Sequence, residues 1–178
     1  MFLRQLSILG LLIASFSSHA ALHPNWFYPF ISDNFAPWTE REFSQSQEWF
    51  ECSQSEQVLY CSDEVSLYSA KVFGQWDGEE NTLSVEGAFS LNAFNQMQLG
   101  LRADGFQLIE IDLGTENYKV TEQLTRKSAE QVDKEVLSLI GRYSAIYPRT
   151  LVWLNPESNA LATWQSDNKT IQITFQNK

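Results

Sequence analysis

Few residues of this chain are placed to do chemistry, and the most specific are two thiols, Cys52 and Cys61. The residues between them, Ser53-Gln54-Ser55-Glu56-Gln57, are polar and turn-forming, as a bridge between two neighbouring extended segments requires. In an oxidising compartment such a pair forms a disulfide, and closing so short a loop contributes about 2–3 kcal/mol in the chain-entropy picture. Metal ligation is the weaker reading. Beyond residue 20 the chain has one histidine, His23, whereas a zinc site takes four ligands of this kind. The Cys-x-x-Cys spacing of redox-active pairs is absent as well. The expectation is a structural disulfide, with no metal and no cofactor.

Other catalytic constellations are missing. His23 has no Gly-x-Ser-x-Gly elbow to serve, and a histidine-based triad needs nucleophile, base and orienting acid in fixed positions. The chain contains no Gly-rich phosphate loop, no Gly-x-Gly-x-x-Gly and no His-Glu-x-x-His. Asp77, Glu79 and Glu80 crowd one turn and Asp63-Glu64 another, without the twelve-residue spacing of a calcium loop. Solvated turn chemistry accounts for them. Glu86 and Glu110 are the pair to weigh for glycoside hydrolysis, which needs carboxyls roughly 5–9.5 Å apart with one pKa raised by burial. Both fall on polar positions of alternating segments, facing water. An enzyme is not the favoured reading, and a small secreted hydrolase stays only as an alternative.

Binding chemistry is better represented. Residues 21–50 form an arm dense in rings and prolines: Trp26, Phe27, Tyr28, Phe30 and Trp38 stand among Pro24, Pro29 and Pro37. Proline removes backbone donors and fixes local geometry, so this arm does not read as part of a sheet that would bury its rings. Either the domain's own core covers them, or they form a contact surface or the lid of a cavity, since Trp and Tyr are common interface anchors. These five rings are the candidate binding residues. Thr39 and Glu42 have capping-box spacing, which predicts a short helix leading toward Trp49 and Phe50.

The elements that must position these groups read mainly as strands. Over 83–103, Leu83, Val85, Gly87, Phe89, Leu91, Ala93, Met97, Leu99, Leu101 and Ala103 hold odd positions, and a period of two puts one set on the core face of a sheet. So long a run exceeds an ordinary strand, which places a turn or bulge near Asn92 to Asn95. Asp104-Gly105 then reads as a tight hairpin turn between 98–103 and 106–111. Asp77-Gly78, Gly114 and Asp167-Asn168 mark further turns of a meander. One helix is expected from Ser128 to Tyr143. Ser128 and Gln131 cap it, Val132, Val136, Leu139, Ile140 and Tyr143 form one apolar stripe, and Glu130 faces Lys134 across a turn. The fold class is α+β: a mainly antiparallel β-meander of about 7–9 strands with this amphipathic helix packed on it.

Arg4, the apolar run from Leu6 to Phe16 and Ser18-His19-Ala20 have the order of a signal peptide cut after Ala20. The run is too short to anchor, since a spanning helix needs roughly 20 apolar residues. This divides the chain into a signal peptide at 1–20, the arm at 21–50 and a single β-rich domain at 51–178, with no transmembrane segment in the mature chain. The net charge of −10 becomes more negative when Arg4 is removed. Such a surface repels phosphate backbones and anionic headgroups, which excludes nucleic acid as a partner. The favoured function is an exported, non-enzymatic protein-interaction module of the cell envelope or secreted fraction. Its expected location is the periplasm, with the extracellular medium as alternative, and its partner an envelope or secreted protein. Another alternative is a carrier of a small apolar ligand in a cavity between curved sheet and helix. An outer-membrane barrel, suggested by repeated hairpins, is opposed by the amphipathic helix.

Overall fold

Alternation of inward and outward side chains organises the computed structural model, which describes residues 24–32, 37–53, 57–114, 116–142 and 148–178. The expected signal peptide, His23 and Tyr143 lie outside the described residues. The strands are β1 (Trp49–Glu51), β2 (Leu59–Ser62), β3 (Val65–Leu67), β4 (Ala70–Asp77), β5 (Thr82–Ala88), β6 (Gln107–Asp112), β7 (Asn117–Lys119), β8 (Arg149–Leu154), β9 (Ala160–Ser166) and β10 (Thr170–Asn177). They form one antiparallel sheet ordered β1-β2-β4-β5-β10-β9-β8-β6-β7, with β3 beside β4. Among the described residues its path ends at β1 and β7 with no pairing between them, so the described sheet is open. The α+β class stands. The strands outnumber the expected 7–9 because β1, β3 and β7 have three residues each, too few to show alternation.

In β4 the inward set is Ala70, Val72, Gly74 and Trp76 and the outward set Lys71, Phe73 and Gln75; β8, β9 and β10 repeat the pattern. Turn chemistry follows the sequence at two ends. The Asp77 carboxylate accepts the N–H groups of Glu79 and Glu80, and that of Asp167 accepts those of Lys169 and Thr170. Such local acceptors close a turn without backbone partners. Two helices also form where expected. Thr39 and Glu42 make the capping box of α1 (Glu40–Gln45). In α4 (Ala129–Arg142), Gln131 N–H donates to Ser128 Oγ and Lys134 pairs with Glu130 at 2.8 Å. The stripe Val132, Val136 and Leu139 is buried.

The expectation for 91–103 fails. These residues form a helix, α2 (Leu91–Ala103), with Ser90 Oγ accepting the Ala93 N–H at 3.0 Å. The buried set is Phe94, Met97, Gly100 and Leu101, spaced by three and four as a helix face requires. Leu91 and Leu99 are exposed. An apolar Phe94 at an even position breaks the period of two, and the good helix formers of this segment complete the case. Asp104-Gly105 is accordingly the end of α2 and no hairpin. Gly105 has φ 87°; its N–H donates to the Arg102 carbonyl and that of Phe106 to the Leu101 carbonyl, the paired closure that ends many helices at a glycine. Both a hairpin and a helix end want positive φ at this position, which is why the dipeptide alone did not discriminate.

Helices and arm cover one face of the sheet. The arm's 3-10 turn, Asn25–Phe30, drives Trp26, Phe27 and Phe30 into the core. Phe27 meets Phe175 edge-on at 4.8 Å, and Trp26 meets Trp49 at 4.9 Å. Phe43 of α1 stacks on Trp76 at 4.4 Å, and Phe94 of α2 meets Trp164 at 5.2 Å. Arg149, buried on this face, lies over the Phe94 ring at 4.6 Å, a favourable cation–π arrangement. A tight interlock joins three elements. Tyr68 and Ser69 connect β3 to β4 with φ 49° and 65°, a turn normally left to Asn and Gly; holding such angles in bulky residues costs of order 1–3 kcal/mol each. The Tyr68 ring lies where a Cβ on Gly100 would be, 2.0 Å from that position. Its hydroxyl donates to Asp104 and Phe27 packs on its edge. Burial and that hydrogen bond offset the strain.

Candidate functional site

The face opposite the helices carries the most distinctive surface. Adjacent residues of a strand point to opposite sides, so Trp49 turns into the core while Phe50 is 51 % exposed, and Val72 is buried while Phe73 is 56 % exposed. Register aligns Phe50 with Cys61 and Cys61 with Gln75, then Gln75 with Ser84 and Ser84 with Thr174. One step along the strands, Phe73 stands opposite Glu86 and Glu86 opposite Gln172. Together Phe50, Phe73, Gln75, Ser84, Glu86 and Gln172 line an open hollow of about 370 Å³. The two rings are two strand spacings and two residues apart, roughly 12 Å between backbone positions.

Among the described residues no lysine or arginine lines this hollow. Ser84 and Thr174 share a hydrogen bond of 2.9 Å, which fixes their hydroxyls. Gln75, Glu86 and Gln172 engage no other described residue through their side chains, and so keep their full donor and acceptor capacity. The sheet's path ends in three-residue strands at both sides, which leaves few backbone groups for adding a strand from a partner. The face rather than the edge is therefore the surface available to a ligand.

The polar cluster joining β7 to α4 is internally satisfied. Tyr118 of β7 donates to Glu135 of α4 at 2.6 Å, and Lys127 donates to both Glu135 oxygens at 2.8 and 2.7 Å. Hydrogen bonds from Lys127 and then Tyr118 hold the Glu135 carboxyl below its usual range. Lost hydration, then the Glu135 hydrogen bond, push the Tyr118 phenol up to about 12. These groups pin α4 to the sheet and border a hollow of about 400 Å³. Glu86 and Glu110 share the outer face but sit on β5 and β6, four strand spacings apart in the sheet order, roughly 19 Å. That is beyond the reach of a two-carboxylate glycosidase. Among the described residues no group of three or more His, Cys, Asp or Glu is placed to hold a metal ion.

The expected site residues fall in several places. Cys52 and Cys61 form the disulfide, with Cα atoms 5.8 Å apart, tying the end of β1 to β2. Of the five candidate rings, Trp26, Phe27 and Phe30 are core residues with at most 1 % exposure, so no partner reaches them in this fold. Tyr28 is exposed and borders a hollow of about 270 Å³ with Asp104, Asn155 and Glu157. Trp38 is half-buried, lines a separate hollow with Trp76 and meets Phe43 at 5.4 Å. The structure does not bring the five into one patch. Phe50 and Phe73, which sequence reading left unassigned, do share one. Their signal was present in Trp49-Phe50 and Val72-Phe73, where two successive apolar residues in a strand cannot both face the core.

In comparisons with family models, with curated proteins and with solved structures, the chain matches none. Fold and surface define it as an α+β protein with a one-sided open sheet. Among the described residues no helix is long and apolar enough to cross a membrane.

Proposed function

We propose that this chain is an exported binding protein of the cell envelope, working in the periplasm without covalent chemistry, whose contact surface is the outer sheet face at Phe50 and Phe73. One observation carries the reading: two phenylalanines stand more than half exposed on the uncovered face at a hollow that also holds the unengaged side chains of Gln75, Glu86 and Gln172. Rings left in water on a rigid sheet are typical binding anchors. The disulfide supports export, because such bonds persist in oxidising compartments. A carrier of an apolar ligand has less support, since Phe94, Met97, Tyr68, Trp164 and Phe175 fill the space between α2 and the sheet.

The test is co-sedimentation of the mature protein with the washed envelope fraction of its own cells. Wild type is expected in the pellet, and Phe50→Ser/Phe73→Ser in the supernatant with unchanged melting. Equal sedimentation of the two proteins, or of neither, rejects the reading.

A further inference from the structure

We propose that the ligand of the outer face is a neutral glycan chain. The inference rests on the binding reading above and names its ligand class. A sugar ring has an apolar face of C–H groups and a rim of hydroxyls, each both donor and acceptor. The hollow offers the complement to both. Phe50 and Phe73 present flat rings, and two amides and a carboxylate stand beside Phe73: Gln75 on the same strand, and Glu86 and Gln172 on the two strands beyond it. Amides donate and accept, a carboxylate accepts twice, and none of the three is engaged elsewhere among the described residues. The backbone of the surface is already held on paired strands, so binding orders side chains and not the main chain.

Charge and spacing narrow the class. Among the described residues no cation lines the hollow, Lys71 on the same face pairs with Glu64 at 3.4 Å, and the chain carries −10, so phosphate-bearing polymers, anionic lipid surfaces and acidic polysaccharides are disfavoured. Protein partners favour a contiguous apolar centre, with serine depleted and aromatic, Met and Arg residues enriched. Here the backbone positions of the two phenylalanines stand roughly 12 Å apart, with Cys61 on the strand between them and the hydrophilic groups Gln75, Glu86 and Gln172 around Phe73. That separation suits an extended oligosaccharide touching both rings, not a single monosaccharide. Further polar positions continue the platform: Gln172 is opposite Gln165, and Gln165 opposite Thr150.

The experiment is calorimetric titration of the mature, disulfide-bonded protein with cellohexaose, chitohexaose and maltohexaose. At least one of these neutral hexasaccharides is expected to bind with a sub-millimolar Kd. Phe50→Ser/Phe73→Ser should weaken that binding at least tenfold at unchanged melting temperature, and Gln172→Ala by a smaller factor. Binding by none of the three, or equal binding by the double variant, overturns the glycan assignment. If the double variant nevertheless loses envelope association, the binding reading stands and the ligand is of another class; if association is also unaffected, both fall.

Discussion

Trp49 and Phe50 are neighbours in sequence and opposite in fate. On the inner side of β1, β2 and β4, Trp49, Tyr60 and Trp76 are at most 7 % exposed beneath Trp26 and Phe43. On the outer side, Phe50 and Phe73 stand in solvent beside Gln75. The same three strands thus carry a close-packed aromatic core on one face and an open, hydrogen-bonding surface on the other. The difference teaches where stability and function separate. Inner rings are held by many partners and are costly to change, whereas the outer rings stand about half in solvent, and on the proposed reading they serve a ligand.

The largest test of this contrast is Phe43→Ala. Its ring is fully buried and meets Trp49, Tyr60 and Trp76, so denaturant unfolding should show a loss of about 3–5 kcal/mol. A loss below 1 kcal/mol would break the distinction between the faces. Next comes the covalent tie at the rim between them: Cys52→Ser/Cys61→Ser should lose about 2–3 kcal/mol, with hydrogen exchange rising first in β1. Gly100→Ala tests the interlock, since the added methyl would occupy the Tyr68 ring position. Overpacking of this kind costs roughly 1–3 kcal/mol, and a rescue by Tyr68→Ala in the double variant would identify the clash as its cause.

A smaller effect concerns pH. Burial first, and then the neighbouring Asp104 carboxylate, raise the Tyr68 phenol well above its ordinary value. A raised phenol contributes stability that is complete below the unfolded value of about 10 and is lost as pH rises through the folded one. Tyr118, pushed up to about 12, acts in the same direction. Melting temperature should fall above about pH 10, and less steeply in Tyr68→Phe than in wild type. An identical alkaline slope in that variant would assign the effect elsewhere. Smallest of all is the outer face: Phe50→Ser/Phe73→Ser should change unfolding free energy by no more than about 0.5 kcal/mol. A loss of several kcal/mol would show that these rings are structural.

Much of this architecture was legible locally. Thr39 with Glu42 and Ser128 with Gln131 mark helix starts because a short side chain must satisfy backbone donors there. The β9–β10 hairpin was readable from Asp167 and the alternation that follows it. Residues 91–103 imitate a strand because their odd positions are nearly all apolar, and only Phe94, together with Ser90 and Gly105 as the two ends, betrays a helix. For the candidate site, Trp26, Phe27 and Phe30 drew attention as rings in a proline-rich arm, yet a 3-10 turn suffices to bury them. Phe50 and Phe73 read singly as core residues, as a phenylalanine in a strand ordinarily is, and only their apolar predecessors Trp49 and Val72 mark them as outward.

By itself the sequence determined what depends on near neighbours: the short bridge between Cys52 and Cys61, the capping pairs, most turns, the strand character of β4, β5, β9 and β10, and the acidic surface charge. These rest on spacing along the chain, which no distant contact is needed to fix. Tertiary structure decided the rest. Whether 91–103 became strand or helix, whether the arm's rings went inward, and which of two adjacent apolar residues met water all depended on which face α2 and the arm covered. A strand's period of two assigns its side chains to two sides, and only the packing of remote elements makes one of those sides the interior.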